Sequence, residues 1–117
     1  ADALAAAAPS NVISIQQRME EKARELASEI DGAIDDFMIN KKNDFSTKNY
    51  LLANLVAAPI AKRIGEMYVA TAAELRGAIE GTDEQLVEGY SHFTKRELKK
   101  FAEFVEGIIS DCNQQVQ

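Results

Sequence analysis

The chain has 117 residues, of which 46% are hydrophobic and 27% charged, with a formal net charge of −6. That suffices for one domain with its own core and is too apolar for a wholly disordered chain. No run reaches the ~20 apolar residues that span a bilayer, and the acidic balance opposes whole-surface binding to nucleic-acid phosphates.

Side chains that do chemistry near neutral pH are few: one histidine, His92, one cysteine, Cys112, and no tryptophan. A single thiol permits neither an intrachain disulfide nor a cysteine-cluster metal site. Residues 1–13 are Ala/Pro-rich with no basic n-region, so they read as a flexible arm rather than an intact signal peptide. Pro9, Ser10 and Asn11 punctuate the chain before the first long helix. Residues 14–117 read as a single helical domain.

From about Ile15 to Met38 the pattern is helical. Met19, Ala23, Leu26, Ile30, Ala33 and Phe37 form the narrow apolar seam of a heptad repeat. The remaining surface carries Glu20, Glu21, Glu25, Glu29, Asp31, Asp35 and Asp36. The polar run Asn40 to Asp44 breaks the period and predicts a loop. Ser46 or Thr47 offers an N-cap oxygen to a second helix containing Tyr50, Leu51, Leu52, Leu55 and Val56. Proline has no N–H to donate, so the chain kinks or restarts at Pro59.

A third stretch, Ile60 to Glu80, shows Ile60, Ile64, Tyr68, Ala72, Leu75 and Ile79 on one face. Beside that stripe lie two small-residue pairs, Ala61/Gly65 and Ala73/Gly77, at a spacing that lets a second helix backbone approach closely. Gly81 stands where a C′ glycine is expected. Thr82 to Gln85 is a capping box opening a short helix with Leu86, Val87 and Tyr90, and Thr94 to Glu97 is a second one. The last helix repeats the heptad seam through Leu98, Phe101, Val105, Ile108 and Cys112, widened by Ala102 and Ile109. Phe104 adds an aromatic beside that seam and predicts a second packing partner. The closing Gln114 to Gln117 lacks a clear C-cap, which predicts a piece of a longer protein. No segment alternates with period 2 between turn signals, so no strand is predicted.

The expectation is an all-α fold, an antiparallel bundle of four to five helices with the first and last long helices paired along their seams. Candidate chemistry is sparse. The i,i+4 pairs Glu25/Glu29 and Asp31/Asp35 read as a solvated acidic face, because no Glu-x-x-His partner accompanies them. His92 has no nucleophile and orienting carboxylate assignable to it, and Cys112 reads as a small core hydrophobe. Lys95, Arg96, Lys99 and Lys100 oppose the helix macrodipole by ~0.3–1 kcal/mol each, so they call for an offset: the acidic face of the first helix, in the chain or in a neighbouring copy, or an external phosphate, with a salt-bridged or simply solvated cluster favoured over phosphate. We therefore expect no catalytic residue, no cofactor and no metal. The expected interface comprises Phe101, Phe104, Ile108, Ala61, Gly65, Ala73 and Gly77.

Two resemblances attach to these residues. The stretch Leu86 to Phe104, LVEGYSHFTKRELKKFAEF, together with Asn11-Val12-Ile13-Ser14-Ile15 after an Ala/Pro-rich start, resembles the N-terminal helical part of small phage-encoded virion-associated proteins. The same Tyr…Phe-Thr-x-x-Glu-Leu…Phe stretch is similar to an uncharacterised family of secreted bacterial helical proteins. In that family a Ser-Pro-x-Gly element follows, where this chain has Val105-Glu106-Gly107-Ile108. The first resemblance implies a non-enzymatic, self-associating structural protein of a phage virion, in the virion or the host cytoplasm. The second implies a periplasmic helical protein. A nucleic-acid-associated accessory protein acting through Lys95, Arg96, Lys99 and Lys100 is the competing expectation from another class.

Overall fold

The structure is a computed structural model that describes residues 2–81 and 89–115, with side chains from Ser14 onward. Among the described residues the fold is all-α with no strand: α1 spans Asp2–Asn40, α2 Thr47–Ala53, α3 Ala58–Met67, α4 Val69–Glu80 and α5 Lys95–Gln114. The capping box at Thr82 and the short helix through Leu86 and Val87 lie outside the described residues, as do Val116 and Gln117.

The bounds of α1 reach beyond Ile15 and take in Pro9, where the sequence reads an arm. Alanine, the strongest helix former, fills six of the first eight positions. On the seam, Ala23, Leu26, Ile30, Ala33 and Phe37 are buried, joined by Ala27. Lys41 closes α1: it takes φ 60° and donates its N–H to the Phe37 carbonyl at 2.7 Å. This left-handed cap turns the chain back. Asn43 then holds the turn against α1, donating from Nδ2 to the Ala33 carbonyl and the Asp36 carboxylate, each at 3.0 Å. Its Oδ1 accepts the Phe45 N–H.

Ser46 is the N-cap of α2, its Oγ accepting the Asn49 N–H at 3.2 Å. The helix ends in a Schellman turn. Leu55 N–H donates to Leu52 O at 3.1 Å and Val56 N–H to Leu51 O at 3.0 Å, with Leu51 and Val56 buried together. That turn places Leu55 at φ 51° and 89% exposed, although the periodicity assigns it to the apolar set. Pro59 lies in the first turn of α3, so the chain restarts there rather than kinking. Proline is tolerated in that turn because its missing N–H has no helical acceptor.

The third predicted stretch divides at Tyr68, where φ −104° and ψ −2° end α3 and the Tyr68 N–H donates to Gly65 O at 3.2 Å. The break separates two packing tasks. α3 lies on both α1 and α5, whereas α4 follows α5. Gly81 is the C-cap of α4 with φ −79°, not a left-handed C′ residue. A Cβ there would stand 3.1 Å from Gly77 O, so closeness rather than left-handed freedom accounts for the glycine.

The capping box at Thr94 forms as predicted: Thr94 Oγ1 accepts the Glu97 N–H at 3.1 Å, and Glu97 Oε1 accepts the Thr94 N–H at 2.8 Å. α5 buries Leu98, Phe101, Ala102, Val105, Ile108 and Cys112. This face packs mainly on α3 and α4, not along the seam of α1 as the heptads suggested. α1 and α5 meet chiefly through rings, Phe37 stacking on Phe101 at 5.1 Å and on Phe104 at 5.2 Å. The second partner predicted from Phe104 is thus α1 of the same chain. The physical reason for the central place of α3 is Gly65, where an added Cβ would stand 3.0 Å from Cys112 Cβ. Only glycine admits that approach.

Chain direction follows from the contacts. Glu20 meets Arg63 and Asp31 meets Tyr68, so α1 and α3 run the same way. Gly65 faces Cys112 and Arg76 pairs with Glu106, so α5 runs against α3 and α4. Ile30, Leu51, Ile64, Leu75, Leu98 and Ile108 are fully buried or nearly so, each contributing about 1.5–3 kcal/mol of burial.

Candidate functional site

Four of the predicted interface residues are used inside the fold. Phe101, Ile108 and Ala61 are buried in the core, and Gly65 is the α3–α5 contact. They do not face a partner, because α5 needed a close neighbour and found it in α3. Phe104 is half-buried against Phe37 and borders a groove of about 320 Å³ with Phe45, Thr47 and Gly107. Ala73 and Gly77 differ: both are exposed, and a Cβ at Gly77 would meet nothing within 4 Å. They continue the row begun by exposed Val69, a stripe of small side chains flanking the buried Ala72, Leu75 and Ile79 and bordered by Arg76, Glu74 and Glu80.

Lys95, Arg96, Lys99 and Lys100 lie on the first turns of α5, Lys95 half-buried and the others exposed. Among the described residues no carboxylate is within ion-pair distance of Arg96, Lys99 or Lys100. Among the described residues of one chain, the acidic face of α1 makes no ion pair with these three cations. Tertiary structure adds what the sequence did not reveal. Lys41 Nζ lies 3.2 Å from Glu97 Oε2 and 5.6 Å from the centre of the Phe93 ring, so the end of α1 meets the start of α5. Lys41 and Lys42 therefore join Lys95, Arg96, Lys99 and Lys100 at one end of the molecule: six of the thirteen cations of the chain. The signal was divided between segments 53 residues apart and had no motif to announce it.

The remaining polar groups hold helices together. Arg63 grips Glu20 in a fork, Nε to Oε2 at 2.6 Å and Nη2 to Oε1 at 2.9 Å. Arg76 grips Glu106 likewise, at 2.8 and 2.7 Å. The guanidinium hydrogen bonds hold both carboxyls below their ordinary range. The Thr94 N–H and then Lys41 do the same for Glu97. Tyr68, buried, donates its single hydroxyl proton to Asp31 Oδ1 at 2.7 Å, with the Ala27 carbonyl a second, longer acceptor at 3.2 Å. Burial and the Asp31 carboxylate push this phenol far above its ordinary value, so it stays a donor. Tyr50 donates to the Leu26 carbonyl at 3.0 Å.

Cys112 is fully buried, and burial, with Asp111 adding to it, pushes its thiol up to about 11. His92 is exposed just ahead of α5. Lys95, where α5 begins, and Cys112 are already separated by about 26 Å of helical rise, so the two groups do not meet. An open groove of about 620 Å³ between α1 and the 41–46 loop is lined by Glu29, Asp36 and Asp44 with Phe45. Among the described residues no three His, Cys, Asp or Glu side chains are grouped to hold a metal ion, and no helix is long and apolar enough to cross a membrane.

No family model matches the chain, and neither a curated protein nor a solved structure is significantly similar to it.

Proposed function

We propose that this chain is a non-enzymatic interaction protein, a helical bundle that self-associates through apolar helix surfaces left over after its own core is filled. The observation that carries this reading is α4. Beside its buried face, α4 exposes the row Val69, Ala73 and Gly77, which meets no other described helix. Small side chains at this spacing let a second helix backbone approach closely, and a second copy of the chain would cover them. A second apolar surface supports the same reading. The α2–α3 turn exposes Leu52, Ala53, Leu55, Ala57 and Pro59, with Asn54 the one polar side chain among them. We place this association in a phage virion, on the resemblance carried by the Ala/Pro-rich start and the Leu86 to Phe104 stretch.

Light scattering of the purified chain over a concentration series tests the reading. The expected result is a mass above that of one chain, reduced by Ala73→Glu or Leu55→Asp with helicity retained. Aspartate tolerates left-handed φ better than leucine, so Leu55→Asp does not threaten the turn itself. A strict monomer at every concentration, or an assembly indifferent to both substitutions, overturns the proposal.

A further inference from the structure

Two patches of opposite charge lie near one end of the molecule without meeting. Arg96, Lys99 and Lys100 stand three and four residues apart, so they share one exposed outer face of α5. Glu97 turns away from them to Thr94 and Lys41. On the other side of that junction, Glu29, Asp36 and Asp44 line the open groove between α1 and the 41–46 loop, beside half-buried Phe45. Among the described residues no Lys or Arg lines this groove. The Lys41–Glu97 ion pair joins the two segments that carry the patches, yet among the described residues no ion pair crosses from one patch to the other.

We infer that the basic outer face of α5 docks on the acidic groove of a second copy of this chain. Three cations then meet three carboxylates, and each set relieves a repulsion that the other chain cannot leave unanswered: cations opposing the helix dipole, and carboxylates gathered around one groove. The ring of Phe45 adds a favourable neighbour for a guanidinium or ammonium group. Each copy carries both halves at one end, so a two-fold axis lets each copy give and receive, and the contact closes as a dimer. A nucleic-acid backbone would pair with the cations and be repelled by the groove, which is why a second copy is the occupant the charges favour. The inference rests on the reading that the chain self-associates, and it names a contact separate from α4 and the α2–α3 turn.

The net charge of −6 on each copy does not defeat the contact. The Debye length at physiological salt is about 8 Å, so charges elsewhere on the two molecules are screened while groups in contact are not. Asp36 accepts hydrogen bonds from Asn40 and Asn43, which fix its carboxylate at the groove. Glu25, one turn of α1 before Glu29, extends the acidic side, since its 3.6 Å pair with Lys22 is exposed and weak. Glu103, exposed one turn beyond Lys99, and Lys42, exposed in the loop, subtract from the attraction.

Sedimentation equilibrium of the full chain over a salt series, with two charge-reversed variants, tests the inference. Association is expected to weaken as salt rises. Lys99→Glu with Lys100→Glu, and separately Glu29→Lys with Asp44→Lys, should each weaken it by about tenfold or more, because like charges then face each other. An equimolar mixture of the two variants should associate again, since the reversed α5 of one meets the reversed groove of the other. All four positions are exposed, and circular dichroism confirms that helicity is kept. Association that neither salt nor either variant changes, but that Ala73→Glu abolishes, overturns this contact and keeps the apolar reading. Association lost in both variants, restored by mixing and indifferent to Ala73→Glu and Leu55→Asp, supports this contact and overturns the apolar one. Loss that mixing fails to restore overturns the pairing of these two patches, and a strict monomer overturns both readings. A fluorescent single-stranded oligonucleotide bound more tightly than the chain binds itself, and lost with the two lysine reversals, gives the cations to phosphate instead.

Discussion

Gly65 and Gly77 sit twelve residues apart on consecutive helices, and replacing each by alanine separates helix propensity from packing. In an open position, glycine to alanine stabilises a helix by about 0.5–1 kcal/mol, because glycine loses more backbone freedom on folding. Gly77 is such a position, with nothing within 4 Å of an added Cβ. At Gly65 the same Cβ stands 3.0 Å from Cys112 Cβ and 3.8 Å from the Ile109 carbonyl oxygen. The atom it meets belongs to the stem of a buried side chain on a helix, so relief requires moving α5 rather than turning a rotamer. Overpacking of this kind costs about 1–3 kcal/mol, which exceeds the propensity gain. Gly77→Ala should therefore raise stability by about 0.5–1 kcal/mol, and Gly65→Ala should lower it by about 1 kcal/mol. For a domain of this size ~1 kcal/mol moves Tm by about 4–5 °C, so the two variants should bracket the parent in thermal unfolding followed by circular dichroism at 222 nm. Urea titration supplies the free energies. Gly65→Ala melting at or above Gly77→Ala would refute the close α3–α5 approach on which the architecture depends.

Two further outcomes follow from the ionisable groups. Glu20, Glu97 and Glu106 have folded-state pKa values below the ordinary 4.5. Their contribution to stability is complete above that value and is lost as pH falls through the lowered folded values. Acid unfolding should therefore steepen below about pH 4.5, and Arg76→Gln should make stability less sensitive to acid in that window. An acid profile that Arg76→Gln leaves unaltered would contradict the Glu106 pairing. Cys112, buried with its thiol pushed up to about 11, should not react with an aromatic disulfide reagent in the native protein and should react fully once unfolded in guanidinium. Rapid labelling at neutral pH in the native state would show that α5 does not bury that side chain.

Much of the secondary structure was legible before any tertiary contact was known, and the reason is local. The 3.6-residue period of the seams placed the buried set Ala23, Leu26, Ile30, Ala33 and Phe37 and the buried set Leu98 to Cys112. The caps at Ser46 and Thr94 depend on a side chain reaching its own backbone three residues on. The misassigned positions are those where a turn or a longer-range contact competed with the helical period. Leu55 was counted with the apolar face and instead caps α2 from solvent. The break at Tyr68 coincides with its anchorage to Ala27 and Asp31, some 40 residues earlier.

The candidate surfaces divide in the same way. Small residues at Ala61/Gly65 and Ala73/Gly77 look alike in sequence, yet one pair is buried against α5 and the other faces solvent. A spacing of four says that a backbone can come close, not which backbone does. Likewise the cluster at Lys95 to Lys100 could be read directly, but its union with Lys41 and Lys42 required α1 and α5 to meet.

What the sequence by itself determined was an all-α chain, the faces its helices would bury and the caps that start them. Periodicity and capping act within one turn or two and so survive without knowledge of the rest. Only the tertiary structure decided that α5 nests against α3 and α4, that rings rather than a heptad seam join it to α1, and that the cations gather at one end. Those outcomes depend on which surfaces fit at close range, and shape complementarity between distant segments leaves no periodic trace in either one.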